Sequence, residues 1–236
     1  MERKKSKIIV NLTLLFIAIV IGALAIISPI STTNSSTVIN GVIYKGNENS
    51  NFVALTFNVY QGSDEVNQIL DILSAKKVKA TFFIGGCWAD KNTETLNRIV
   101  QLGHEIGSHG YFHKDHAKLS YEENIKEIKR TETLIYALCG IKPKLFAPPS
   151  GSFSKNTVKA CENLGYRVIM WTADTIDWRD ADKDLIKTRA LKNASSGNII
   201  LMHPTKCTAI ALNDIIDGFK ALSLTPSTVT SVLQGI

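Results

Sequence analysis

His104-Glu105-Ile106-Gly107-Ser108-His109-Gly110-Tyr111-Phe112-His113 reads as a short strand that runs into a histidine-bearing turn, and Ser120 with Glu123 marks the start of a helix soon after. Ser followed three residues later by Glu is a capping box, in which each side chain satisfies the other residue's backbone N–H. Ile125, Ile128, Ile135 and Leu138 then recur at helical spacing. Outward from this unit the alternation repeats. Further strands are predicted at 52–57, 80–84, 145–147, 167–171 and 198–202, with a last one at 228–232 resting on its β-branched residues alone. Helices are predicted over 64–76, 93–102, 154–164, 182–193 and 208–222. Strand and helix in alternation build a parallel sheet covered by helices, doubly wound or closed into a barrel. The chain lacks a G-x-G-x-x-G loop, which disfavours the dinucleotide-binding form and favours a barrel-like (β/α) fold.

The 236 residues are 44% hydrophobic and 20% charged, which suits a packed globular chain and excludes a disordered tail, a collagen or a coiled coil. The net charge of +6 is concentrated: Arg3, Lys4, Lys5 and Lys7 against Glu2 supply half of it. The little that remains gives no reason to expect a nucleic-acid partner.

Ile8 to Ser28 carries no formal charge, and its 21 residues span roughly 30 Å as a helix, enough to cross a bilayer. The basic cluster before it predicts a single-pass anchor in the cell membrane with everything after residue 30 outside. Ala23-Leu24-Ala25 has the form of a cleavage site, so secretion after cleavage near Ala25 is the competing expectation. Pro29 stops the helix, which divides the chain into residues 1–30 as anchor, 31–50 as linker and lead-in, and 51–236 as the exported domain. Cys87, Cys139, Cys161 and Cys207 form no C-x-x-C pair, so neither a zinc ribbon nor a thioredoxin-like site is suggested.

Four of the five histidines follow predicted strands, and in a parallel α/β barrel the carboxyl ends of all strands share one face. That face should collect Asn58, His109, His113, Pro148, Pro149, Asp174, Asp177, Trp178 and His203. His109 and His113, four apart, suit a metal pair or an exposed surface pair. Asp177 and His203 have the chemistry of a carboxylate that orients an imidazole for acid catalysis, or of a helix cap and a rim histidine. His104 is expected to be structural and His116 solvent-exposed. Trp171 and Trp178 suit a sugar-stacking floor, with the core equally open to Trp171.

At these residues the chain resembles the polysaccharide deacetylases of the NodB-homology type, carbohydrate esterase family 4, over roughly 51–232. Thr56-Phe57-Asn58-Val59 stands where that family has Thr-Phe-Asp-Asp; Ser108-His109-Gly110-Tyr111-Phe112-His113 matches its histidine motif; and Ala147-Pro148-Pro149-Ser150-Gly151 matches Arg-Pro-Pro-x-Gly. Asp174-Thr175-Ile176-Asp177-Trp178 and Leu201-Met202-His203 match Asp-x-x-Asp-Trp and Leu-x-His. The resemblance implies a distorted barrel of about seven strands. It also implies a divalent metal, usually zinc, on His109 and His113, with Pro148, Pro149, Trp178 and Leu201 against substrate. The implied reaction is hydrolysis of N-acetyl groups on chitin-like chains or peptidoglycan, with His203 and Asp177 catalytic.

Three positions depart from the pattern. Asn58 replaces the base, Val59 the third metal ligand and Ala147 the Arg that holds the base, so metal is expected to bind weakly or not at all. The losses fit one another, because an Arg without its carboxylate partner is an unpaired charge. Asp64, six residues past Asn58, is a candidate substitute carboxylate and equally a helix-start residue. The Thr-Phe-Asn-Val form resembles a spore-associated subgroup of the family. Two functions follow: a membrane-anchored deacetylase of cell-wall or spore peptidoglycan, or a catalytically silent glycan-binding homologue.

Overall fold

The computed structural model describes residues 36–236. Its ten strands form one sheet: β1 Thr37–Ile39, β2 Val42–Lys45, β3 Phe52–Val59, β4 Thr81–Ile84, β5 Glu105–Ser108, β6 Leu145–Phe146, β7 Arg167–Ile169, β8 Ala173–Asp174, β9 Ile199–Met202 and β10 Thr225–Ser227. The order is β1-β2-β7-β6-β5-β4-β3-β9-β8. Only β1 with β2 is antiparallel. β7 and β8 lie far apart along that path yet are joined by Met170–Thr172, so the chain itself curls the sheet into an incompletely closed, parallel-rich barrel. Thr172 N–H donates to the Ile199 carbonyl at 2.9 Å, and Met170 N–H to that of Ile43 at 2.8 Å.

Alternation along the strands sorts side chains between the helical layer and the interior. On β3, Val53, Leu55, Phe57 and Val59 join the apolar cluster beneath the helices, while Ala54 joins the interior cluster. Phe82 and Phe83 divide the same way on β4, as do Ile200 and Ile199 on β9. Thr56, on the inner parity, donates its hydroxyl to the Ile200 carbonyl at 2.8 Å. One more inward step reaches Asn58. At Gly107 a Cβ would sit 2.3 Å from the Phe83 ring, so glycine lets that ring fill the interior.

The helix Tyr121–Cys139 begins on the capping box read from the sequence, with Ser120 and Glu123 each accepting the other's backbone N–H. Its buried stripe is more polar than the isoleucine spacing suggests: Asn124, Glu127 and Thr131 lie buried beside Ile128 and Ile135.

Three expectations are corrected. Residues 228–232 are not a strand: Thr228 caps the helix Val229–Gln234, and Val229, Val232 and Leu233 bury one helical face. The last strand is instead β10, which pairs with the first half of β3. Nor is the stretch before residue 51 only a lead-in, because Asn40-Gly41, both at positive φ, close the hairpin that brings β2 against β7. The parallel strands therefore number more than seven. The predicted membrane span 8–28 lies outside the described residues, and among those described no helix is long and apolar enough to cross a membrane.

Candidate active site

The carboxyl ends of β3, β5, β8 and β9, with the turn after β6, open on a cleft of about 520 Å³. Asn58, His109, His113, Asp174, Trp171, Trp178, Leu201 and His203 line it, as do Tyr60, Ser150 and Gly151. Elements spread over the whole described domain thus deliver their polar ends to one place.

His109 leaves β5 with its ring buried and its Nδ1 2.7 Å from the Ala147 carbonyl oxygen. A carbonyl only accepts, so Nδ1 carries the proton and Nε2 is the free nitrogen. Burial, and next the neighbouring His113, push its pKa down to about 3. The His113 ring lies edge-on to it at 5.1 Å between centroids, and 4.4 Å from the Tyr60 ring. His113 pKa is also lowered, chiefly by burial. Its backbone is left-handed, φ 53°, as is that of Ser150 at 54°, so two non-glycine residues of the cleft wall hold a conformation that side chains disfavour.

The turn carrying the two histidines is braced from below by a residue that the sequence reading missed. Glu127 is buried, and its Oε2 accepts the N–H groups of Tyr111 at 3.1 Å and Phe112 at 2.9 Å. Its other oxygen lies 3.4 Å from Lys114 Nζ. An acidic residue on the stripe that also carries Ile128 and Ile135 was the available signal, since a buried carboxylate requires donors.

His203 is held through both edges of one carboxylate. Asp177 Oδ1 lies 2.8 Å from its Nδ1, and Oδ2 accepts its peptide N–H at 2.7 Å together with the Thr208 hydroxyl at 2.6 Å. The Asp177 side chain is fully buried while that of His203 reaches the cleft. With Nδ1 engaged, Nε2 is the nitrogen left for a ligand, which is the arrangement of an oriented acid.

Other expected residues are placed differently. His116 is fully buried, not solvent-exposed: its Nδ1 pairs with Asn124 Oδ1 at 2.7 Å, its ring packs against Phe146, and burial lowers its pKa. Pro148 and Pro149 are buried beneath the turn, and the next two residues, Ser150 and Gly151, face the cleft instead. A Cβ on Gly151 would stand 2.7 Å from the Trp171 ring, so this glycine lets Trp171 close the wall. Asp64 opens the helix Asp64–Lys76, exposed and outside the cleft lining. His104 is structural, its Nδ1 accepting the Ala80 N–H at 3.2 Å.

A metal does not fit the residues present as it would in the family's pattern. Val59 is fully buried in the apolar cluster under the helices and offers no donor. Asn58 Oδ1 is buried without a partner. Among the described residues no three His, Cys, Asp or Glu side chains are grouped to hold an ion. Two imidazoles without a carboxylate fall short of the usual three protein ligands.

The polysaccharide deacetylase family model matches residues 45–169. The chain is 39% identical over 192 residues to the uncharacterized protein YlxY of Bacillus subtilis, covering 81% of this chain and 60% of that protein's length. It is 34% identical over 196 residues to a peptidoglycan-N-acetylglucosamine deacetylase of Bacillus cereus, covering 81% of this chain and 71% of that one. Among solved structures, a CE4 family pseudoenzyme from Bacillus anthracis superposes with a TM-score of 0.80 at 37% identity, over 83% of this chain and 70% of that one. A mutant of that pseudoenzyme is described as having restored enzymatic activity. Deacetylases of this family are hydrolases and generally metal-dependent, and the pseudoenzyme neighbour fits the losses at Asn58, Val59 and Ala147. On its fold, its motifs and these relatives, the chain belongs to the polysaccharide deacetylase family.

Proposed function

We propose that this domain binds amino-sugar chains of cell-wall or spore peptidoglycan in the cleft without hydrolysing them. One observation carries the reading: Asn58, Val59 and Ala147 stand where base, ligand and base partner are needed, in a cleft whose aromatic walls and Asp177–His203 pair remain. A binding cleft needs the walls; hydrolysis needs the groups that are gone. The peptidoglycan deacetylases among the relatives support the choice of glycan, and the Thr-Phe-Asn-Val motif supports a place in the spore-associated subgroup. In this proposal residues 1–30 anchor the chain in the cell membrane, and the domain works outside it.

A second reading, hydrolysis of N-acetyl groups, is favoured by the intact Asp177–His203 pair, which would protonate a leaving amine. There a divalent metal, zinc by family resemblance, would rest on His109 and His113. The purified full-length chain incubated with N-acetylated peptidoglycan separates the two readings. Retention on the glycan without acetate release is expected. Acetate release that disappears in His203→Ala would replace silent binding by hydrolysis.

A further inference from the structure

Among the described residues no Lys or Arg lines the cleft; Arg179, beside Trp178, stays outside the lining and feels the Asp174 charge. The anionic groups are Asp174 in the wall and Asp177 behind His203. Asp174 uses Oδ1 to accept the Ile176 N–H at 2.8 Å, which leaves Oδ2 without a protein hydrogen bond among the described residues. His109 gives its Nδ1–H to Ala147, so its Nε2 offers a lone pair to the cleft. His203 turns its Nδ1 to Asp177 at 2.8 Å, so Nε2 is the ring nitrogen that faces the cleft.

The walls add to this bias. Trp171, Trp178 and Tyr60 line the cleft, and aromatic faces attract cations as well as sugar rings. Arg179 already places its guanidinium 5.9 Å from the Trp178 ring while Asp180 grips it at 2.8 and 2.9 Å. Where the family pattern sets a metal dication against two carboxylates, this chain has removed both. What remains is the His109 lone pair, a carboxylate oxygen and aromatic faces, complementary to one compact cation rich in N–H donors.

On the reading of the cleft as a glycan site, we infer that it takes an amino sugar whose 2-nitrogen is already free of acetyl: a protonated glucosamine-type unit of a wall glycan. The ammonium group offers three N–H donors, whereas an acetamide offers one N–H and brings a carbonyl that meets no cationic donor here.

Calorimetric titration of the full-length chain with a glucosamine pentamer, at a pH where its amines are protonated, tests the inference against the same pentamer re-N-acetylated. The amine form should bind at least about tenfold tighter. Asp174→Asn keeps the Oδ1 acceptor for Ile176 but removes the charge, and should cut that ratio to about threefold or less. Trp178→Ala should weaken both ligands. Equal binding, or tighter binding of the acetylated pentamer, overturns the ammonium preference and leaves the glycan reading standing. Failure of both pentamers and of intact wall glycan to bind overturns both readings.

Discussion

Asp177 grips His203 twice, through the ring Nδ1 at 2.8 Å and through the peptide N–H at 2.7 Å. The first bond fixes which imidazole nitrogen faces the cleft; the second fixes where the chain leaves β9. Thr208, in the first turn of the helix Lys206–Ala221, donates to the same carboxylate at 2.6 Å, so strand end, catalytic-type pair and helix start share one buried group.

Removing that group should therefore cost stability as well as orientation. Asp177→Ala leaves two N–H donors and a hydroxyl without their acceptor, a loss of about 3–5 kcal/mol. Urea unfolding of the variant should show the midpoint falling with little change in slope. A loss well under 1 kcal/mol would mean that water replaces the carboxylate.

The alternation of strand and helix was legible because the strands read from the sequence carry β-branched or aromatic residues and several helices start at a cap, as Ser120 with Glu123 does; β8, Ala173-Asp174, has neither kind of residue and was not read. Those signals are local. Thr228–Val232 misleads for the same reason: its β-branched run favours a strand, while Thr228 as cap and the packing of Val229, Val232 and Leu233 decide for a helix. The Asn40-Gly41 hairpin was open to reading and passed over. In the site, the motif residues His109, His113, Asp177 and His203 were found by their place after strands. Glu127 was not, because its role depends on contact with Tyr111 and Phe112 across the fold.

Glu127 supplies a test of how the histidine turn is held. Glu127→Gln keeps an acceptor oxygen, and should cost less than Glu127→Ala, which orphans the buried Tyr111 N–H at about 1–3 kcal/mol and leaves the part-buried Phe112 N–H to water. The NMR signal of the His113 ring should shift and broaden in the alanine variant alone. An unchanged His113 signal in that variant would show that the turn holds without its brace.

Acid should destabilise the domain through His104. Burial first, and then the charge of Lys79, lowers its pKa from 6.5 to about 4 in the folded chain. Above 6.5 the ring is neutral folded or unfolded, and contributes no pH dependence. As pH falls from 6.5 towards 4 the unfolded chain takes up a proton that the folded one refuses, so stability declines by on the order of 3 kcal/mol in total. His104→Gln should make the plot of unfolding free energy against pH less steep in that window, with the remainder left to His109, His113 and His116, whose pKa values burial also lowers; an unchanged slope would assign all of the acid sensitivity to those groups.

Restoring the family's groups should act first on stability and only then on chemistry. Val59 is fully buried in the apolar cluster beneath the helices, so Val59→Asp alone puts a carboxylate where it has no partner, and should lower stability by about 3 kcal/mol. If that carboxylate can turn towards His109 and His113, zinc at about a hundred times its Kd should return about 2.7 kcal/mol, read as a rise in Tm absent from the native chain. Adding His113→Ala to the variant should abolish the rise. With Asn58→Asp and Ala147→Arg also present, acetate release from N-acetylated glycan should increase about a hundredfold or more, the scale of a positioned general base. Asn58→Asp by itself should do far less, because base, ligand and base partner act as a unit and their effects do not add. A triple variant that gains the zinc-dependent Tm shift but still releases no acetate would show that these three positions are not what silences the cleft. A zinc shift that survives His113→Ala would place the ion somewhere else.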